Sequence, residues 1–516
     1  MNNLLRYLKS RWPLVTLALT APLVLSGVLL WMTDMETSGS VTGFNLPPVL
    51  PPASTPLMGP PPFGVDSVVD LRLRIEQLHT GLSELRKATS PDPLGIGREL
   101  LQLAALESAG GNEESSTDAL REVLSLHSNT EHWQVREARA RIAVLSALAS
   151  RTPEARQSWK AASQLHFEAM TLHMGGHYFE AIDRARKALD VRRELWGTDH
   201  VESAESLLQL ARFSLEHSDE YLRAEDRARE AIEEIRTAVG PLHPLNGDGL
   251  YVLAILADDR GEFDKADRLY EDAMRIYRES VGELSREFAQ ALNRQGRMHN
   301  VWWKDFGAGK TLRALQIREQ ILDRDHPDCA ESMEDLGEVA YSLLNFDRAE
   351  NLLEEAIAIR TQRQGPDHPD LARPQCLLAV CQTEQGNVSA AVVNVRKALT
   401  RTETFHGAKH PLVAEQRITM AKIQERGLFD NAGSYLTSQK ALEVLSDLGQ
   451  QGHPRYCRAM LQQGDWPDST CMRGSTWVIH ANTPGEVSMS FELFARMPQV
   501  NPIPRVSLCS LTVFSS

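Results

Sequence analysis

The sequence predicts an all-α superhelix of stacked helix pairs, set behind an N-terminal transmembrane helix and a proline-rich linker. Three observations predict it: small residues that recur about every 42 positions, His-Pro dipeptides at the same step, and one apolar run near the N-terminus. With 516 residues, the chain exceeds one ordinary compact core and suits several domains or one long array.

Composition narrows the function classes. A net charge of −14 disfavours nucleic-acid binding, which needs a basic face against phosphates. Aromatics are only 6%, while Ala, Leu, Glu and Arg are plentiful, a helix-favouring balance. The cysteines are Cys329, Cys376, Cys381, Cys457, Cys471 and Cys509, with no C-x-x-C pair to suggest zinc or thioredoxin chemistry. Cys376 and Cys381 would point apart on a helix and read as buried thiols.

Residues 1–12 form a short basic N-terminus, with Arg6, Lys9 and Arg11 ahead of the uncharged run Leu14–Met32. As a helix, that run would span about 28 Å, close to the thickness of a bilayer core. The charge asymmetry predicts a signal-anchor over 13–32, a cytoplasmic N-terminus and an exported remainder, hence a single-pass cell-membrane protein; a cleaved signal peptide is the competing reading. Residues 33–64 are proline-rich and predict an extended spacer. A helical lead-in follows over 65–160. Its Val68, Leu71, Ile75, Leu78, Leu82 and Leu85 make a heptad seam, short for a coiled coil but a candidate homodimer contact over 68–85.

Over 161–455 the chain repeats itself. With Gly176 as position zero, the same register returns at 219, 261, 302, 344, 386 and 427. Five residues on stand Ala181, Ala224, Ala266, Gly307, Ala349, Ala391 and Ala432; twelve on stand Ala188, Ala231, Ala273, Ala314, Ala356 and Ala398. Seven residues are nearly two helical turns, so both columns share one face and let a neighbouring helix approach. Gly176, Gly261, Gly386 and Gly427 suit a left-handed turn between helices. His243-Pro244, His326-Pro327, His368-Pro369, His410-Pro411 and His453-Pro454 each mark a helix start. Stacked pairs share a continuous core and coil into a superhelix with a concave face.

The motif G-x-[YF]-x-x-A, the alanine columns and closing segments such as Gly365-Pro366-Asp367-His368-Pro369 resemble the 42-residue tetratricopeptide repeats of kinesin light chains and their bacterial relatives. The segment Glu131–Arg139 resembles the lead-in of planctomycete-type repeat proteins. The resemblance implies a right-handed superhelix that binds a peptide or partner protein in its groove. In that family an Asn-Asn pair on the first helix often contacts peptide; here only Asn293 keeps the amide. The polar or amphipathic residues at the matching positions, Gln209, Tyr251, Asn293, Arg294 and Asp335, are the candidate partner-binding set. Two departures interrupt the pattern: Gly282-Glu283-Leu284-Ser285-Arg286 lacks His-Pro, and Trp302–Phe306 lacks the turn glycine.

Other motifs fall short. Gly307-Ala308-Gly309-Lys310-Thr311 lacks the upstream Gly and strand of a phosphate loop. His166, His173 and His177 straddle a Gly-Gly turn and make no helical metal face. From Gly464 the helix period disappears, and a small β-rich cap, a disordered tail and a shifted reading frame all stay open for 456–516. The expected function is therefore a membrane-anchored interaction scaffold with no catalytic, cofactor or metal site; the alternative is a permanent structural subunit of an envelope complex with no free peptide groove.

Overall fold

The computed structural model describes residues 67–448, apart from 89–91, 199, 217–219 and 303–306, together with 456, 459–460 and three strands between 477 and 514. The predicted anchor, the linker and His453-Pro454 lie outside the described residues. Among the described residues no helix is long and apolar enough to cross a membrane. That finding overturns the expected cell-membrane placement with an exported array: a spanning helix needs about 20 consecutive apolar residues, whereas helices such as Phe263–Ser280 alternate buried residues with charges at every turn.

Four lead-in helices come first: α1 (Ser67–Lys87), α2 (Pro93–Gly110), α3 (Glu113–Leu126) and α4 (Trp133–Ala149). The α1 seam lies partly against its own chain: Leu82 is buried, and Ile75, Leu78 and Leu85 pack at the edge of the same core. Seven helix pairs follow. They are α5 (Pro153–Met174) with α6 (Tyr178–Trp196), α7 (Val201–Ser214) with α8 (Ala224–Val239), α9 (Pro244–Asp259) with α10 (Phe263–Ser280), and α11 (Arg286–Trp302) with α12 (Ala308–Ile321). The last three are α13 (Pro327–Ser342) with α14 (Phe346–Gln364), α15 (Ala372–Glu384) with α16 (Val388–His406), and α17 (Pro411–Arg426) with α18 (Asn431–Asp447).

Each described His-Pro start works as a cap. The imidazole Nδ1 of His243, His326, His368 and His410 accepts the backbone N–H two residues on, at 3.1–3.3 Å. This satisfies one of the donors that every helix N-terminus leaves over. At the junction without His-Pro, Ser285 replaces the imidazole, accepting from the Phe288 N–H at 3.3 Å. The turns between paired helices use left-handed backbone at Gly176, Gly261 and Gly386. At position zero of the fifth pair, however, Leu344 adopts φ 60°, a strained setting for a branched side chain.

The small-residue columns are the seams of the array. Ala188, Ala231, Ala273, Ala314, Ala356 and Ala398 are all fully buried. Gly307 takes the alanine place because a Cβ there would lie 2.0 Å from the Gly296 carbonyl. In the last pair the register shifts: Ala432 is exposed, while Ser434 and Ala441 are buried. The reason is a longer turn, in which α18 starts only at Asn431, capped by Asp430 onto the Gly433 N–H.

Sixteen residues after three of the turns, Arg192, Arg318 and Arg360 lie deep in the array. Arg192 donates to the Glu202 carbonyl at 2.8 Å and Arg318 to the Asp328 carbonyl at 2.6 Å, each ten residues ahead. These bonds tie the second helix of one pair to the first helix of the next. Cys329, Cys376 and Cys381 are buried free thiols, and burial pushes Cys329 and Cys381 up to about 12. Beyond the array, β1 (Trp477–Thr483), β2 (Glu486–Phe491) and β3 (Leu508–Phe514) form an antiparallel sheet in the order β1-β2-β3. Trp477 pairs with Phe491, and Met489 pairs with Leu511.

Ala273, at 0% exposure, reports directly on the seams. Ala273→Trp should overpack the α9–α10 crossing and destabilise the array by about 1–3 kcal/mol or more. Overlapping thermal melts of variant and wild type would contradict this placement of the column.

Candidate partner-binding channel

The first helices of the pairs line the inner surface of the superhelix, and the array curls until distant pairs touch. Because Nδ1 of His368 and His410 is occupied as an acceptor, Nε2 carries the proton. His368 Nε2–H donates to the Met174 carbonyl at 2.8 Å, and His410 Nε2–H donates to the Leu215 carbonyl at 2.8 Å. His406 Nδ1–H donates to the Glu216 carbonyl, also at 2.8 Å. The partners are about 190 residues apart in sequence. Gly176 serves this closure twice, since its φ is 80° and a Cβ would meet Pro369 Cδ at 2.5 Å. Tyr178 packs on His406 with ring centroids 4.7 Å apart, and Tyr221 meets His410 edge-on.

The channel inside this curl has a volume of about 640 Å³, is open to solvent, and is bordered by Tyr251, Arg294, Arg212, Arg297, Arg360 and Arg373, among others. Of the candidate set, Tyr251 and Arg294 therefore face it. Asn293 and Asp335 are joined to each other instead: Asn293 Nδ2 donates to Asp335 at 2.6 Å, and Ser332 donates to Asn293 at 2.9 Å. Asn293 is 0% and Asp335 1% exposed, so both hold successive first helices together. Arg373 extends the ladder to Asp335 at 2.6 Å and Glu338 at 2.9 Å. Gln209 lies elsewhere, reaching the His166 carbonyl at 3.5 Å.

The channel carries incompletely matched charge. Arg294 Nε is buried without a hydrogen bond among the described residues, 3.7 Å from Glu331. Arg297 approaches Asp335 only to 3.9 Å; burial pushes its guanidinium down, and neighbouring Arg373 and Arg294 push it further. Arg212 is exposed to the channel. On the acidic side, burial and the Asp370 carboxylate push Glu216 up to about 7. Arginines 294 and 297, three residues apart on α11, share a helix face; that spacing was the available signal for Arg297. Arg212 and Glu216 meet the three clasping histidines only through the curl of the array.

Glu216, His406 and His410 also place potential ligand atoms within 4.8 Å of one another. Their geometry is accounted for by the clasp, since His410 Nδ1 and Nε2 are engaged with the Leu412 N–H and the Leu215 carbonyl. Elsewhere, His173 is half-buried and stacks on Phe213 at 4.2 Å, His166 is buried beside Glu205, and His177 precedes α6. The glycine-rich segment opens α12, where Lys310 Nζ donates to Gln295 at 2.6 Å.

Helix pairs of this length, with small-residue columns and a turn at this step, define tetratricopeptide repeats. Tetratricopeptide repeat models match residues 312–362 and 345–404, and a further one matches 250–287. The chain is similar to the clustered mitochondria protein homolog of Coccidioides immitis, 28% identical over 108 residues, which is 21% of this chain and 8% of that protein. The homolog of Ajellomyces capsulatus is 26% identical over the same length, 21% of this chain and 9% of that protein. The chain thus spans less than a tenth of the length of the curated relatives it matches. Similar solved structures include BtubC (BKLC) from P. vanneervenii, 26% identical, covering 44% of this chain and 91% of that one with a TM-score of 0.34. Another is the Rap conjugation gene regulator of the plasmid pLS20 in complex with the Phr* peptide, 16% identical, covering 70% and 97% with a TM-score of 0.45.

The elevated Glu216 pKa makes a signed prediction. Between the ordinary carboxylate range and about 7, the folded state retains a proton that the unfolded state has released, so stability falls as pH rises through that window. Glu216→Gln mimics the protonated form. It should raise the melting temperature at pH 8 and leave it unchanged at pH 4; an equal effect at both would contradict the burial argument.

Proposed function

We propose that the chain is a protein-interaction scaffold whose central channel holds an extended segment of a partner protein, with binding rather than catalysis as its task. The observation that carries this reading is a pair of guanidiniums on α11, Arg294 and Arg297, at the wall of a channel whose arginines and carboxylates are otherwise about balanced. Arg294 and Arg297 border the channel, one with an unbonded Nε and the other crowded by two further guanidiniums. An acceptor-rich segment, presenting carboxylates or backbone carbonyls, would complete their hydrogen bonding and relieve the repulsion. A lining of this polarity supports a groove that fills and empties. A permanent subunit interface would call for a larger apolar face. Self-association through 68–85 is left with the outer edge of α1 around the exposed Leu73, since Leu82 is buried within the chain.

Arg294→Ala with Arg297→Ala tests the reading, because neither residue belongs to the small-residue seams. Partner capture by the full chain should weaken by about 1–3 kcal/mol, typical of lost charged hydrogen bonds at an interface, with the helical signal and melting temperature retained. Asn293→Ala is the contrasting control, since it removes one hydrogen bond of the buried Asp335 carboxylate and strands the Ser332 hydroxyl, and it should lower the melting temperature. Full capture by the folded double variant would remove the channel as the binding site.

A further inference from the structure

Three of the His-Pro helix starts border the channel: His326, His368 and His410. In all three, Nδ1 accepts the backbone N–H two residues on, so the one ring proton of the neutral imidazole sits on Nε2. His368 and His410 spend that proton on the carbonyls of Met174 and Leu215. Both carbonyls stand at helix C-termini, Met174 closing α5 and Leu215 capping α7, where the last turn leaves carbonyls without a partner inside the helix. The fourth described start, His243, gives its Nε2–H to Glu137 of the lead-in at 3.0 Å.

His326 is the exception. Its Nε2–H has no hydrogen-bond partner among the described residues. Its side chain is 12% exposed, and Nε2 is not one of the polar atoms sealed from solvent. The donor is therefore within reach of an occupant of the channel.

The charged groups that face His326 are Asp328, Arg286, Arg318 and Arg363, and each is already matched. Arg286 holds Asp328 at 3.0 Å, Arg318 holds Glu331 at 2.8 Å, and Arg363 holds Asp325 at 3.0 Å. A carboxylate or an ammonium brought there would meet no unpaired counter-charge. An uncharged acceptor suits the position. Burial pushes the His326 pKa down, which favours the neutral ring with its single donor.

We propose that His326 is a third carbonyl socket of the channel, left open by the chain itself and filled by a main-chain carbonyl of the partner segment. This rests on the channel reading given above and adds a contact that ignores side-chain identity. Arg294 and Arg297 select acceptor-rich side chains, whereas His326 selects backbone conformation. Carbonyls inside a helix are already bonded, so the partner must be extended, or at a helix end, where it passes α13.

The test uses the full chain and two acetylated, amidated probes of twelve residues. One alternates Glu and Gly; the other has glycolate in place of every glycine, which turns half of the main-chain carbonyls into weaker-accepting esters. His326→Ser removes the outer donor and keeps a cap, as Ser285 does for α11. By calorimetric titration the wild-type chain should bind the amide probe saturably, and the ester probe about three- to ten-fold more weakly, the range of one hydrogen bond. His326→Ser should bind the amide probe about three- to ten-fold more weakly at an unchanged melting temperature, with the preference between probes reduced. Arg294→Ala with Arg297→Ala should weaken both probes and retain the preference. A loss confined to the arginine variant, with full affinity in folded His326→Ser, would overturn the socket and leave the channel reading standing. Equal affinity of the wild-type chain for the two probes would overturn the socket as well. No saturable uptake of the amide probe, or uptake indifferent to the arginines, would sink the channel reading and the socket together.

Discussion

Three imidazoles decide whether this array is an open ribbon or a closed channel. His368 and His410 each cap the helix they precede with Nδ1 and bind a carbonyl about 190 residues earlier with Nε2, while His406 binds the Glu216 carbonyl, next in sequence to the one His410 binds. The two roles depend on each other, because accepting at Nδ1 is what fixes the proton on Nε2. Each such bond contributes only about 0.5–1.5 kcal/mol net, so closure is secured jointly with the ring contacts of Tyr178 and Tyr221 and the approach of Pro369 to Gly176.

Curvature brings those partners within reach, and the small-residue columns set the curvature. Side chains at 0% exposure every 42 residues leave room only for close helix crossings. The buried arginines and the Asn293–Asp335–Arg373 ladder then fix how successive pairs rotate against each other. A polar interior of this kind is stabilising only when fully paired. It is fully paired in the ladder, whereas Arg294, like the structural Arg192 and Arg318, keeps an Nε without a hydrogen bond among the described residues; what sets Arg294 and Arg297 apart is their place at the channel wall. Glu137 illustrates the paired case: burial would raise its pKa, yet Arg141 and His243 hold it near 2.

The repeat step, both alanine columns and the helix starts at His-Pro were legible in the sequence because each depends on neighbours within one turn or one pair. Gly307 in an alanine column also had a local cause, the Gly296 carbonyl facing it. The longer final turn hid the shift from Ala432 to Ser434, because counting from Gly427 assumes a constant turn length. The candidate site was legible in part. Position on the first helix does not distinguish Tyr251 and Arg294, at the channel wall, from Asn293 and Asp335, which meet across adjacent pairs, or from Gln209, which lies elsewhere. Closure itself had no local signature, since the Nε2 partners are backbone carbonyls that any residue supplies. The anchor expected at 14–32 lies outside the described residues, and the helices of the array offer no membrane-spanning face.

Closure is measured most directly as a distance between the two sides of the clasp. Spin labels introduced through unnatural amino acids at positions 222 and 409, both exposed and next to the Tyr221–His410 contact, would report it by double electron–electron resonance. A single narrow, short distance distribution is expected for the wild-type chain, broadening and lengthening when His368, His406 and His410 are all replaced by alanine. A broad, long distribution in the wild-type chain would contradict closure, and with it the channel on which the proposed binding mode depends.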